Sequence, residues 1–154
     1  MRRYSIAGNN ISTTSALKTM LTLISTAAIR ATLYDFTFGT EGTPADTSYQ
    51  FLIQRTTAAG TGGAAVTPTA EDPGDPAATA SSVSGSTAIT VEPTYTANVI
   101  PWGPMGINQR ATYRWVAAPG GEIVCPSTAA AGVGARALST SGVAVADSLF
   151  HYWE

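Results

Sequence analysis

The chain has almost none of the side chains that carry out chemistry at neutral pH. Its 154 residues include one histidine (His151), one cysteine (Cys125) and one lysine (Lys18). Acid–base and nucleophilic catalysis recruit His, Cys, Lys or clustered carboxylates, so the usual catalytic sets have little to assemble from. One cysteine excludes an intrachain disulfide framework. Cys125 alternates with Ile123 in Glu122-Ile123-Val124-Cys125-Pro126 and reads as a small buried apolar residue. Charge is also scarce, at 12% of residues with a formal net charge of −2. The arginines are scattered, with only Arg2 and Arg3 adjacent, so no basic face marks a nucleic-acid partner. Residues 17–33 lean apolar but are interrupted by Thr19, Thr22, Ser25, Thr26 and Arg30, which is no membrane span. Residues 5–10 are not the apolar core of a signal peptide, so synthesis in a cytoplasm without standard export is expected.

The motifs that would call for a metal or cofactor are missing too. There is no His/Cys cluster for zinc and no Gly-x-Ser-x-Gly elbow beside a usable histidine. Gly60-x-Gly62-Gly63 is followed by no helix pattern, so it is not a phosphate cradle. Glu71, Asp72 and Asp75 flank a Pro-Gly turn without the regular ligand spacing of a calcium loop, and read as a solvated turn. The expectation is no metal, no cofactor and no enzymatic activity.

What is present instead is Ala, Thr, Gly and Ser, which make up half of the chain. Thr-rich segments punctuated by Gly and Pro suit β-structure. Residues 17–25 are ambiguous between helix and strand, and their Thr content favours a strand. Residues 29–38 place Ile29, Ala31 and Leu33 on one face, then shift phase to Tyr34, Phe36 and Phe38. That shift predicts a β-bulge near Leu33-Tyr34. Further strands are expected over 49–55, 88–92, 95–100, 110–117, 122–125, 133–138 and 143–153, while Pro101-Trp102-Gly103-Pro104 is expected to break any ladder. About eight strands in one domain predict an all-β chain, a jelly-roll-like β-sandwich. Residues 1–14 read as an extended N-terminal arm, either frayed or reaching a neighbouring subunit. Residues 15–154 form the sandwich domain, with 57–87 as a long central loop.

The aromatics offer a contact surface. Trp102, Trp115 and Trp153 with six tyrosines suit a sugar-stacking platform or an interface core. Trp115 alternates with Tyr113 and reads as core. His151, among aromatics, reads as a packed or interface residue. The candidate interface residues are Arg2, Arg3 and Tyr4 in the arm, Trp102, and the terminal Tyr152 and Trp153.

Several stretches taken together carry a family resemblance. They are Leu23-Ile24-Ser25-Thr26-Ala27-Ala28-Ile29-Arg30, Phe51-Leu52-Ile53-Gln54-Arg55-Thr56-Thr57-Ala58-Ala59-Gly60-Thr61, Val66-Thr67-Pro68-Thr69-Ala70-Glu71-Asp72-Pro73-Gly74-Asp75, Asn108-Gln109-Arg110-Ala111-Thr112-Tyr113-Arg114-Trp115 and Ala117-Ala118-Pro119-Gly120-Gly121-Glu122. Over most of 20–125 the pattern resembles tailed-bacteriophage capsid decoration (cement) proteins of jelly-roll type. The final Phe150-His151-Tyr152-Trp153-Glu154 is more aromatic than that pattern. The resemblance implies a structural protein on the virion's capsid surface, made in the bacterial host cytoplasm. It implies a homotrimer that bridges subunits of the major capsid protein, with no nucleic acid or membrane as partner. The alternative is a phage tail or fibre module that binds carbohydrate or a receptor.

Overall fold

The computed structural model describes residues 1–11, 16–139 and 145–154. Thirteen strands run in the order β1 (Arg3–Ile11), β2 (Lys18–Ile24), β3 (Thr32–Glu41), β4 (Ser48–Ala58), β5 (Thr61–Val66), β6 (Thr69–Ala70), β7 (Ser82–Val91), β8 (Thr94–Tyr95), β9 (Trp102–Asn108), β10 (Tyr113–Val116), β11 (Ile123–Val124), β12 (Gly132–Ser139) and β13 (Val145–Trp153). They form two antiparallel sheets. Sheet A has the order β10-β3-β13-β1-β6, with β11 also on β3; sheet B has the order β5-β7-β2-β12-β4-β8, with β9 also on β4. The two sheets pack face to face as a β-sandwich, the expected class, and no helix occurs among the described residues.

The core is where the inner faces meet. Sheet A supplies Tyr4, Ile6, Leu33, Phe36, Phe38, Phe150 and Tyr152, and sheet B supplies Leu21, Leu23, Tyr49, Phe51, Ile53 and Val133. Phe38 of β3 stacks on Phe51 of β4 with ring centroids 5.0 Å apart, which joins the two sheets directly. The bulge foreseen near Leu33-Tyr34 is present. His151 pairs with Asp35 and Tyr152 with Leu33, so Tyr34 is the extra residue. Leu33 and Phe36, three apart, are therefore both buried.

The two sheets differ in how their outer faces are treated. In β13, buried and half-buried residues alternate strictly, the mark of a strand covered on one side only. In β2, every residue from Thr19 to Ile24 is buried. Its helix-or-strand ambiguity has this cause: a strand covered on both faces loses its period-two signature. The cover on sheet B is the segment around β8. Tyr95 lies against Gly134, accepts the Arg136 guanidinium over its ring at 4.1 Å, and shares a 2.6 Å hydrogen bond with Thr19. Thr19 also donates to Glu92, and Gln54 donates to the Thr96 carbonyl at 3.0 Å.

Four expectations are corrected. Residues 3–11 are no loose arm: β1 pairs with β13 from Arg3↔Trp153 to Ile11↔Val145, in the interior of sheet A. The expected boundary at 14/15 falls outside the described residues. Residues 57–87 are not one long loop, because β5, β6 and the first half of β7 lie within them. Alanine, glycine and serine make the pairing there and leave little apolar alternation to read. The strand count rises from about eight to thirteen among the described residues. Finally, 102–108 is a strand although it contains Pro104. Among the described residues β9 is bonded to β4 alone, and Gly103 and Pro104 together stand opposite Leu52 in a register shift. At such an irregularity on an edge strand, a missing N–H costs no ladder bond.

Candidate functional site

The uncovered outer face of sheet A is the candidate functional site. Its residues are dictated by the alternation of three adjacent strands. β13 turns Asp147, Leu149, His151 and Trp153 outward, and each is half-buried. β3 contributes Tyr34, pushed to this face by the bulge, and Thr37. β1 adds Arg3, Ser5 and Ala7, opposite Trp153, His151 and Leu149 in register.

At one end of the face the rings and charges interlock. Tyr34 stacks on Trp153 with centroids 5.0 Å apart and planes 17° apart, and lies 6.2 Å from the His151 ring. Glu71, reaching over from the turn after β6, takes a 2.8 Å hydrogen bond from the Tyr34 hydroxyl and sits 2.9 Å from His151 Nδ1 through the same oxygen, Oε1. Its other oxygen is 3.7 Å from Arg3 Nε. On the far side of Tyr34, Arg114 of β10 forks onto Asp35 with Nε contacts of 3.0 and 3.1 Å and a shorter one from Nη2. Asp35's side chain is only 4% exposed while that of Arg114 is 64% exposed, so the arginine roofs the carboxylate. Val116 beside it is 58% exposed.

This geometry sets the acidity of two groups. Burial, followed by the hydrogen bond and the charge of Glu71, pushes the Tyr34 phenol up to about 12. Burial also works to raise the Glu71 carboxyl, but the hydrogen bonds from His151 and Tyr34 and the charges of His151 and Arg3 outweigh it and hold the group below 4.5. The folded state therefore favours ionised Glu71. Its contribution to stability is complete above pH 4.5 and disappears as pH falls through the lower folded value. Glu71→Gln is expected to lower the melting temperature at pH 6 and to flatten the acid limb of the melting curve below pH 4.5. Thermal melts from pH 6 to pH 3 followed by near-ultraviolet dichroism check this. An unchanged acid limb contradicts it.

The candidate interface residues separate. Arg3 and Trp153 meet on this face. Arg2 sits at its end, exposed, exchanging backbone hydrogen bonds of 3.2 and 3.0 Å with Glu154 and lying 3.9 Å from Asp75. Tyr4 and Tyr152 are corrected to core residues: both are fully buried and stacked at 5.6 Å, because in this register they point inward. Trp102 is elsewhere, half-buried at the sandwich edge against Phe36 at 5.0 Å and Tyr113 at 5.1 Å, away from this face. Trp115, expected in the core, is half-buried and packs against its edge on Phe36 at 5.0 Å. Cys125 is buried, and burial pushes its thiol up to about 11, so it carries little thiolate at neutral pH.

Sequence reading missed Tyr34 and Glu71 as parts of the site. The bulge was the available signal for Tyr34, since a phase shift turns the next residue outward. Nothing local signals Glu71, because its partners lie 37 and 80 positions away in the chain. Glu71, Asp72 and Asp75 do form a turn, with Gly74 N–H donating to Asp72 Oδ1 at 2.9 Å, and no group of three or more potential metal ligands occurs among the described residues.

Half-buried aromatics ringed by paired charges on an open sheet face can bind a broad partner surface. The comparisons with known proteins add no identity to this chemistry: no family model, curated protein or solved structure matches the chain.

Proposed function

We propose that this protein is a structural subunit of a tailed-phage virion, a decoration protein that binds the outside of the capsid and bridges major capsid protein subunits as a homotrimer. The observation that supports this reading is the contrast between the two outer faces. The central strands of sheet B, β2, β4 and β12, are largely buried on both faces by the chain itself, whereas sheet A leaves Tyr34, Leu149, His151 and Trp153 open to a partner. A solitary domain gains nothing from half-exposed Trp and Leu on a sheet face, while an assembly protein buries them on docking. The bulge and Glu71 hold the rings in place before contact, which reduces the ordering cost of binding. The N-terminal segment is paired within sheet A, so reach from an arm plays no part in this reading.

Co-sedimentation with assembled capsids that lack a decoration protein tests the proposal. The wild-type chain is expected to pellet with the particles. Trp153→Ala and Tyr34→Ala are each expected to weaken binding by about tenfold or more, as truncation of an aromatic anchor does. Val99→Ala, beyond β8 on the sheet B side, is expected to bind as the wild type does. In solution the trimer should show three times the 15.8 kDa chain mass by light scattering. A chain that never pellets with particles overturns the reading.

The second reading, a tail- or fibre-associated module, draws on the same rings. The stacked Tyr34–Trp153 pair with Glu71 and Arg3 alongside suits an aromatic platform for a sugar. Binding on a glycan array that is lost in Trp153→Ala, with no particle binding, would select it.

A further inference from the structure

Past Leu149 the outer face of sheet A deepens into a groove of about 700 Å³. Its existence follows from small residues in register. Gly39 stands beside Asp147, and Ala7 beside Leu149, so two floor positions lack bulk. Val66 of β5 and Thr112 before β10 line it as well. The volume lies within the roughly 300–1,000 Å³ typical of ligand sites.

The groove's charge has one sign. Among the described residues Asp147 is the only charged one that lines it, and Glu41 lies two positions along β3 from Gly39. Neither acid has an ion pair among the described residues. On this face Arg114 is already forked onto Asp35. Burial, and then the charge of Glu41, raise the Asp147 carboxyl, against a hydrogen bond from Asn9. An ionised carboxylate in that position is stabilised by an incoming cation.

We propose that the groove receives an extended segment of the partner protein and that one Lys or Arg side chain of that segment anchors on Asp147. The occupant is argued from charge complementarity and from continuity. Asp147, Leu149, His151 and Trp153 share one side of β13, so a chain lying on the aromatic patch continues into the groove. Alternate residues of a strand stand about 6.6 Å apart, matching an extended peptide laid along it. That the segment belongs to a capsid partner rests on the proposed function; the groove's preference for a cationic side chain does not.

The test uses the full ¹⁵N-labelled chain and two synthetic pentapeptides, acetyl-Gly-Val-Arg-Val-Gly-amide and the same peptide with citrulline replacing arginine. Citrulline keeps the shape and removes the charge. The arginine peptide is expected to give saturable shifts at the amides of Asn9, Gly39, Thr112 and Asp147. The citrulline peptide should bind about fivefold more weakly, the scale of a partly exposed ion pair. Asp147→Asn should weaken the arginine peptide equally, with a folded spectrum, while Asp72→Asn, in the turn after β6, should change nothing. Absence of saturable shifts, equal binding of both peptides, or indifference to Asp147→Asn overturns the proposal. Capsid co-sedimentation is read separately. Particles that bind while the peptides do not would overturn the groove alone; peptides that bind while particles do not would overturn the virion reading alone.

Discussion

Phe36→Ala is expected to lower the unfolding free energy by about 3–5 kcal/mol, the range for removing a large aromatic from a packed core. Phe36 is fully buried in β3. Its ring lies 4.9 Å from Phe38, 5.0 Å from both Trp102 and Trp115, and 6.5 Å from Phe150. These neighbours belong to four strands, β3, β9, β10 and β13, three of them in sheet A and one in sheet B. Truncation removes the transfer energy of the ring and leaves a cavity, because neighbours fixed in separate strands cannot collapse together. For a domain of this size each kcal/mol corresponds to about 2–4 °C, so the melting temperature should fall by roughly 6–20 °C. Urea unfolding followed by tryptophan fluorescence measures it. A loss under about 1.5 kcal/mol would mean that the edge closed by Trp102 and Trp115 is loosely packed, because full truncations in tight cores cost more.

Gly132→Ala is expected to cost about 2–3 kcal/mol, near the upper end for overpacking, despite adding only a methyl group. Gly132 begins β12, between Ile24 of β2 and Thr56 of β4. A Cβ there would fall within 3.0 Å of the Leu23 carbonyl oxygen and the Ile24 Cα. Both are backbone atoms of a strand buried on both faces, so relief requires parting β12 from β2. The comparison is Gly106→Ala in the exposed strand β9. Its Cβ would meet only Ser48 Cβ, at 4.0 Å, and the change should stay within about 0.5 kcal/mol of neutral. Chemical denaturation of both variants decides the matter. Equal stabilities would show that sheet B yields at β12.

Much of the fold was legible because its signals are local. The phase shift from Leu33 to Phe36 announced the bulge, and Tyr49, Phe51 and Ile53 announced β4. A strand was expected over 143–153, and β13 occupies Val145–Trp153 of it, though which side is covered was not visible: a sequence shows which residues share a side, not whether another layer covers that side. The fully buried Leu52 on the outer side of β4 illustrates the point. It broke the polar side of the pattern because that side is covered too. β1 and β5 were misread for a different reason. Their pairing depends on distant partners, and Gly-, Ala-, Ser- and Asn-rich strands carry little hydrophobic contrast. The site followed the same division. Arg3 and Trp153 were picked out from the sequence, while Glu71 arrives only through the turn that follows β6. Tyr4 and Tyr152 were candidate interface residues, Tyr4 because its segment read as an arm. Their mutual pairing buries them instead.

That pairing also fixes an order of events. β13 lies between β3 and β1, so sheet A stays in two pieces until β13 has left the ribosome. Until then β1 is held within its sheet by Tyr4↔Ala70 and Ser5↔Thr69 of β6 and by the Glu71 N–H donating to the Arg3 carbonyl at 2.9 Å. Bringing β1 to β13 closes a loop spanning nearly the whole chain, and contacts of that range make folding slow. During synthesis β1 and β3 present open edges able to pair with strands of neighbouring nascent chains. Crowded production of many copies therefore favours conditions that shorten the interval before β13 emerges, and chains truncated before Val145 should accumulate as aggregates.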